Sequence, residues 1–248
     1  MNQRFALCRH NFTAKQILLF TLFGESLVIT WAITGIFAFD ISHKNYFGEI
    51  NQGGVITYVS CLQLLITAIL SGKIFKLVKI PPSVSLKSTQ QLNKSSFFWL
   101  TICIGLVFLA LDDALGIHES MDFWLHDWFN IQQTEITDLA DDIIVGGYLV
   151  LFLIYVAFKW QAIKIFQQSF IFFKLGCILT AIMVILDIAS NNKLFVSMIT
   201  DNVALMSAIQ DWLEIIEDSA KIFAEGMFFV GVYKCWQIAK KARNQISG

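Results

Sequence analysis

Runs of apolar residues about twenty long, separated by shorter polar stretches, dominate the chain. A hydrocarbon core about 30 Å thick is crossed by roughly 20 residues of α-helix, so each run reads as a membrane-spanning helix. The first extends from Ile17 to Phe39 and is interrupted only by Glu25. The second begins at Val55, stays apolar to Gly72 and leaves the lipid by residue 80. The third begins at Phe97, is apolar to Leu111, then turns polar and is expected to run on without a breaker to residue 119. Three further spans are expected at about residues 139–158, 169–190 and 208–233. Lipid offers no partner for backbone amides, so helices are the expected spanning form. The expected fold class is all-α: a polytopic membrane helix bundle of six transmembrane helices, one domain over residues 1–248, with a cytoplasmic loop at residues 81–96.

Charge sorting orients the bundle. With the N-terminus inside, 15 of the 18 Lys and Arg residues fall on the cytoplasmic side, whereas none of the 19 acids does. Lys44 and Lys193 fall in outer loops and Lys221 within a span. Basic residues collect in cytoplasmic loops and aromatic residues at both interfaces. Trp99, Trp160 and Trp236 fall near the inner interface, and Trp124, Trp128 and Trp212 near the outer one. Both termini are therefore expected in the cytoplasm. No A-x-A site follows Phe39, so the first span is expected to be retained.

Composition supports the same class. Apolar residues make up 56% and charged residues 15%, with 23 Phe and 2 Pro and a mean hydropathy of +0.63. This balance excludes a secreted disulfide scaffold, a disordered tail and a basic nucleic-acid binder. The expected partner is the lipid bilayer. Cys8, Cys61, Cys103, Cys177 and Cys235 form no C-x-x-C pair and read as small apolar side chains in helix packing.

The chemistry lies in the ionisable residues inside the spans. The third carries Asp112, Asp113, His118, Glu119, Asp122 and His126. Taken as one helix at 100° per residue, Asp112, Glu119, Asp122 and His126 share about 80° of arc, while Asp113 points to a different neighbour. In the sixth span Asp211, Glu214, Glu217, Asp218, Lys221 and Glu225 occupy about 120° of arc. The fifth brings Asp187 and the fourth Asp142 to a similar depth. Glu25 and Lys221 are candidates for a structural pair across the bundle.

A charge at a helix centre costs roughly 2.5–3.5 kcal/mol even on the insertion scale. The acids must therefore be protonated, hydrated or offset by a bound cation. The candidate cation ligands are Asp112, Asp113, His118, Glu119, Asp122, Asp142, Asp187, Glu214 and Asp218. Imidazole beside carboxylate suits zinc, iron or manganese, and an all-oxygen set suits calcium or magnesium.

The run Leu109-Ala110-Leu111-Asp112-Asp113-Ala114-Leu115-Gly116-Ile117-His118-Glu119 resembles a group of bacterial polytopic membrane proteins. These carry an acid pair, a spacer and His-Glu late in a middle span, and an acid-rich last span. The resemblance covers the third to sixth spans and implies a multi-pass protein of the bacterial inner membrane, with no activity to transfer. In the last span Glu217-Asp218 stands at the acid pair, and Lys221 replaces a further acid.

The chain contains neither a phosphate-binding G-x-x-x-x-G-K-[ST] loop nor the motifs G-x-S-x-G or H-E-x-x-H. The leading expectation is an integral membrane protein whose outward-facing carboxylate and histidine site binds a cation, a divalent metal or protons, in transport. Two other readings stay open. One is a metal-dependent membrane hydrolase acting on a lipid or lipid-linked substrate, and the other is a non-catalytic assembly protein with a structural polar core.

Overall fold

The computed structural model describes residues 12–39, 44–47, 54–79, 87–129, 140–191, 196–197, 200 and 202–247. Every described element is a helix. In chain order they are α1 (Ala14–Phe39), α2 (Lys44–Phe47), α3 (Val55–Val78), α4 (Lys87–Leu115), α5 (Ile117–Phe129), α6 (Ala140–Phe158) and α7 (Trp160–Ile163). A 3-10 turn (Lys164–Ser169) leads into α8 (Phe170–Asn191), and α9 (Val203–Ser247) closes the chain. Four stretches are long and apolar enough to cross a membrane: Ala14–Ala38, Val55–Val78, Ser95–Leu115 and Trp160–Ser190. A shorter apolar stretch, Gly146–Phe158, lies in α6. Large apolar side chains such as Phe20, Phe23, Leu62, Ile69, Leu151 and Ile185 lie exposed, as a surface meeting lipid requires.

Two expectations need correction. The loop expected at residues 81–96 is helical from Lys87 onward, because α4 starts ten residues before its apolar segment. The third span is also not one helix to residue 119. It stops at Leu115, and Gly116 has φ 57° before α5 resumes at Ile117. Without a Cβ, glycine enters this left-handed region at little cost and changes the direction of the chain. Hydropathy alone does not register such a break.

The 45 residues of α9 span about 68 Å at 1.5 Å per residue. This helix packs against α8, α3 and α1, and α3 packs along α4. Glycines make the α8–α9 contact close. A Cβ at Gly176 would meet the Phe228 ring at 2.8 Å, and one at Gly231 would meet the Phe173 ring at 3.1 Å, so each helix seats a phenyl ring on the other's glycine. Small residues allow such approach where lipid provides no hydrophobic drive.

The buried apolar side chains form two clusters at different heights. One gathers Ile29, Ala32, Tyr46, Phe47, Ile56, Ile215 and Ile222. The other gathers Ile74, Val78, Phe98, Trp99, Ile163, Phe166, Val232, Cys235 and Ala239. On α9, Glu225 stands between Ile222 of the first cluster and Val232 of the second, and Lys221 is level with the first.

Candidate functional site

The wall of the site is a stripe of mostly small residues on α3. Ser60, Leu64, Thr67, Ala68 and Ser71 are all buried, at the spacing that places them on one helix face. Thr67 and Ser71 donate their hydroxyls to backbone carbonyls one turn back, Thr67 to Gln63 O at 2.7 Å and Ser71 to Thr67 O at 3.0 Å. Those two are satisfied within their own helix. Ser60 instead faces two acids from other helices.

Ser60 Oγ lies 2.7 Å from Asp113 Oδ2 on α4 and 2.7 Å from Glu225 Oε1 on α9. Asp113 Oδ1 accepts from Lys221 Nζ, also on α9, in an ion pair whose side chains are 24% and 12% exposed for Lys221 and Asp113. Cys61 adds a thiol 3.6 Å from Asp113 Oδ2. Asp113 thus has three donors around it, one of them an ammonium. Glu225 is 8% exposed, and among the described residues its Oε2 has no hydrogen-bond partner.

Glu25 on α1 is 5% exposed and accepts a hydrogen bond from Gln63 Nε2 on α3 at 2.9 Å. Among the described residues its Oε2 has no hydrogen-bond partner, and it lies within electrostatic reach of Glu225. The carboxyl lies directly on Gly226 of α9, the only residue type that leaves room for it there. Four helices, α1, α3, α4 and α9, therefore each contribute to one buried polar network.

A second group of acids continues along α9. Glu217 lies within electrostatic reach of Asp187 on α8 and of Glu214, Asp218 and Lys221 on its own helix. Asp218 interacts with Lys221, Asp113, Glu214 and Asp187. Lys221 is the cation common to both groups. From Asp211 to Glu225 the stripe covers about 21 Å of helix axis, some two thirds of the hydrocarbon thickness.

The candidate residues divide as follows. Asp113 joins the ion pair, and Asp187, Glu214 and Asp218 gather around the second group. Asp112 is buried at 5% but faces elsewhere, with its charge felt by Tyr148 of α6. The pair expected between Glu25 and Lys221 is replaced by two separate bonds, Glu25 to Gln63 and Lys221 to Asp113. The arc drawn through Asp112, Glu119, Asp122 and His126 loses its basis at Gly116, because the four do not share one straight helix. The side chains of His118, Glu119, Asp122 and Asp142 lie outside the described residues. Among the described residues, no group of three or more His, Cys, Asp and Glu side chains is placed to hold a metal ion.

Sequence reasoning missed Ser60, Gln63 and Gly226. The second span reads as apolar by average hydropathy, which conceals that its polar residues recur on a single face. That recurrence was the available signal for Ser60 and Gln63.

Beyond the geometry, a family model described as Domain of unknown function (DUF8692) matches residues 20–235. No curated protein and no solved structure matches the chain.

Proposed function

We propose that this chain, which belongs to the DUF8692 family, is a multi-spanning membrane protein that binds protons at its intramembrane carboxyls and moves them through the bundle. The spans are α1, α3, α4 with its break at Gly116, α6, the α7–α8 run and α9, six in all, with both termini cytoplasmic. The four long apolar stretches and the apolar part of α6 support this arrangement, as does the sorting of basic residues. The charges of α9 turn toward α3, α4 and α8 rather than toward lipid.

One observation carries the reading. Asp113, Glu217, Asp218 and Glu225 share one ammonium among the described residues, Lys221, and Glu25 adds a further buried carboxyl within electrostatic reach of Glu225. Each isolated charge in such a place costs several kcal/mol, so carboxyls beyond the one that Lys221 neutralises are most cheaply held as protonated acids. Buried acids that gain and lose protons at successive depths are the usual parts of a proton pathway.

The test is proton movement into proteoliposomes under an imposed pH gradient, followed with an internal pH dye. Wild-type protein is expected to dissipate the gradient faster than protein-free vesicles, and Glu225→Gln and Asp113→Asn are expected to abolish the difference. Wild-type vesicles that leak no faster than empty ones would overturn the reading.

A structural role for the polar core is the second reading, favoured by the close glycine and serine packing that joins α3, α8 and α9. In that case Glu225→Gln and Asp113→Asn would shift melting without any proton movement in the wild type to lose.

A further inference from the structure

Ser60 makes two short contacts with carboxyl oxygens, and a hydroxyl has one hydrogen to give. Its oxygen is 2.7 Å from Asp113 Oδ2 and 2.7 Å from Glu225 Oε1. If both acids were ionised, one contact would set two lone-pair-bearing oxygens against each other without a proton between them. One of the two acids must therefore donate. Asp113 already accepts from Lys221 and lies beside the Cys61 thiol, so it is the ionised partner. Glu225 is buried, its Oε2 has no hydrogen-bond partner among the described residues, and it lies within electrostatic reach of the Glu25 carboxyl, so it is the acid that carries hydrogen.

We propose that Ser60 is a proton relay joining Glu225 to the Lys221–Asp113 ion pair, with Glu225 as the proton-binding acid at rest. Glu225 Oε1–H donates to Ser60 Oγ, and Ser60 Oγ–H donates to Asp113 Oδ2. Transfer runs in one concerted step. The Glu225 proton passes to Ser60 Oγ while the Ser60 proton passes to Asp113 Oδ2. The serine ends as it began, Glu225 becomes a carboxylate and Asp113 a neutral acid. One proton moves from α9 to α4, and the total charge is unchanged.

The transfer frees Lys221. Once Asp113 is neutral, the negative charge nearest that ammonium is Glu225, four residues along the same helix face, with Asp218 three residues in the other direction. Proton position and ion-pair partner are then two descriptions of one state: Lys221 on Asp113 with Glu225 protonated, or Lys221 on Glu225 with Asp113 protonated. The other groups that face this exchange are Glu25 from α1, Cys61 from α3, Glu217 from α9 and, through Asp218, Asp187 from α8. The inference deepens the proton-binding reading by naming the acid that holds the proton and the residue that passes it on.

Two measurements test it independently. Infrared difference spectroscopy of protein in lipid, with hydrogen–deuterium exchange, reads the carbonyl stretch of protonated carboxyl groups. Wild type is expected to show a buried carboxylic acid band that Glu225→Gln removes, and that Ser60→Ala shifts by loss of the hydrogen bond. Ser60→Thr keeps a hydroxyl and should leave the band near its wild-type position. A band unaltered by Glu225→Gln would overturn the assignment. In proteoliposomes, Ser60→Ala is expected to slow proton movement at least tenfold and Ser60→Thr less than threefold. Equal rates in Ser60→Ala and wild type would overturn the relay while leaving the proton-binding reading intact. A Glu225 band that responds to Ser60→Ala in a protein that moves no protons would support the hydrogen-bond order while overturning transport.

Discussion

Glu25 on α1 rests against Gly226 on α9 so closely that a Cβ at position 226 would collide with Glu25 Oε1 and lie 2.8 Å from its carboxyl carbon. The acid is 5% exposed and tied on its other side to Gln63, so it cannot simply swing away into solvent. Gly226→Ala is therefore expected to destabilise the bundle by about 1–3 kcal/mol, the usual range for added volume in a packed interior. Thermal melting in detergent measures this. A companion Gly24→Ala, at a glycine with nothing within 4 Å of its added Cβ, is expected to leave melting unchanged or raise it. Equal melting for Gly226→Ala and wild type would show that α1 and α9 do not meet through this contact.

Glu25 itself offers a cleaner separation of charge from shape. If its carboxyl is neutral, Glu25→Gln preserves both volume and the acceptor for Gln63. It should then change stability by less than about 1.5 kcal/mol, as for a volume-conserving change in a packed interior. Glu25→Ala removes the hydrogen-bond acceptor and leaves a cavity, and is expected to cost about 2–4 kcal/mol. Denaturation by graded detergent reads both. A large stabilisation by Glu25→Gln would mean that the wild-type residue is an uncompensated charge.

The Lys221–Asp113 pair makes a third prediction. Removing one member of a fully buried pair costs about 3–5 kcal/mol, because the survivor is left charged without a partner. Here the side chains are 24% and 12% exposed, so Lys221→Met is expected to cost about 2–3 kcal/mol after allowance for that access. Lys221→Met/Asp113→Asn removes the stranded charge and should regain at least half of the loss. Double-mutant analysis of melting checks this. Two losses that merely add would show that the residues do not interact.

The helical class and most of the long apolar stretches were legible in the sequence because they depend on averages over about twenty residues, and hydropathy is an average. The site was legible only where charge itself gave the signal. The acids and Lys221 of α9 stand on one face because their spacing follows the helical period, and the structure places Asp113 away from the side chains that neighbour Asp112. What spacing could not supply is the partner. Lys221 meets Asp113 rather than Glu25 because α4 brings Asp113 to α9 beside Ser60 of α3, which contacts both Asp113 and Glu225, and a single small side chain leaves little trace in a hydropathy average. Gly226 escaped notice for the same reason: its significance lies in a neighbour 201 residues earlier in the chain.

Gly116 provides the last prediction, since it decides where the third span ends. Its φ of 57° lies in the left-handed region, where a Cβ crowds the carbonyl oxygen at a cost of roughly 1–2 kcal/mol. Asparagine visits this region more readily than other non-glycine residues, and β-branched residues least. The expected order of stability is therefore Gly116, then Gly116→Asn, then Gly116→Ala, with Gly116→Val lowest. If α4 and α5 instead formed one continuous helix, alanine would stabilise position 116 by about 1 kcal/mol relative to glycine. The sign of the Gly116→Ala effect on thermal melting thus separates a broken third span from a straight one. It also decides whether Asp112 begins a stripe that runs on to Glu119 and Asp122 or ends with its own helix.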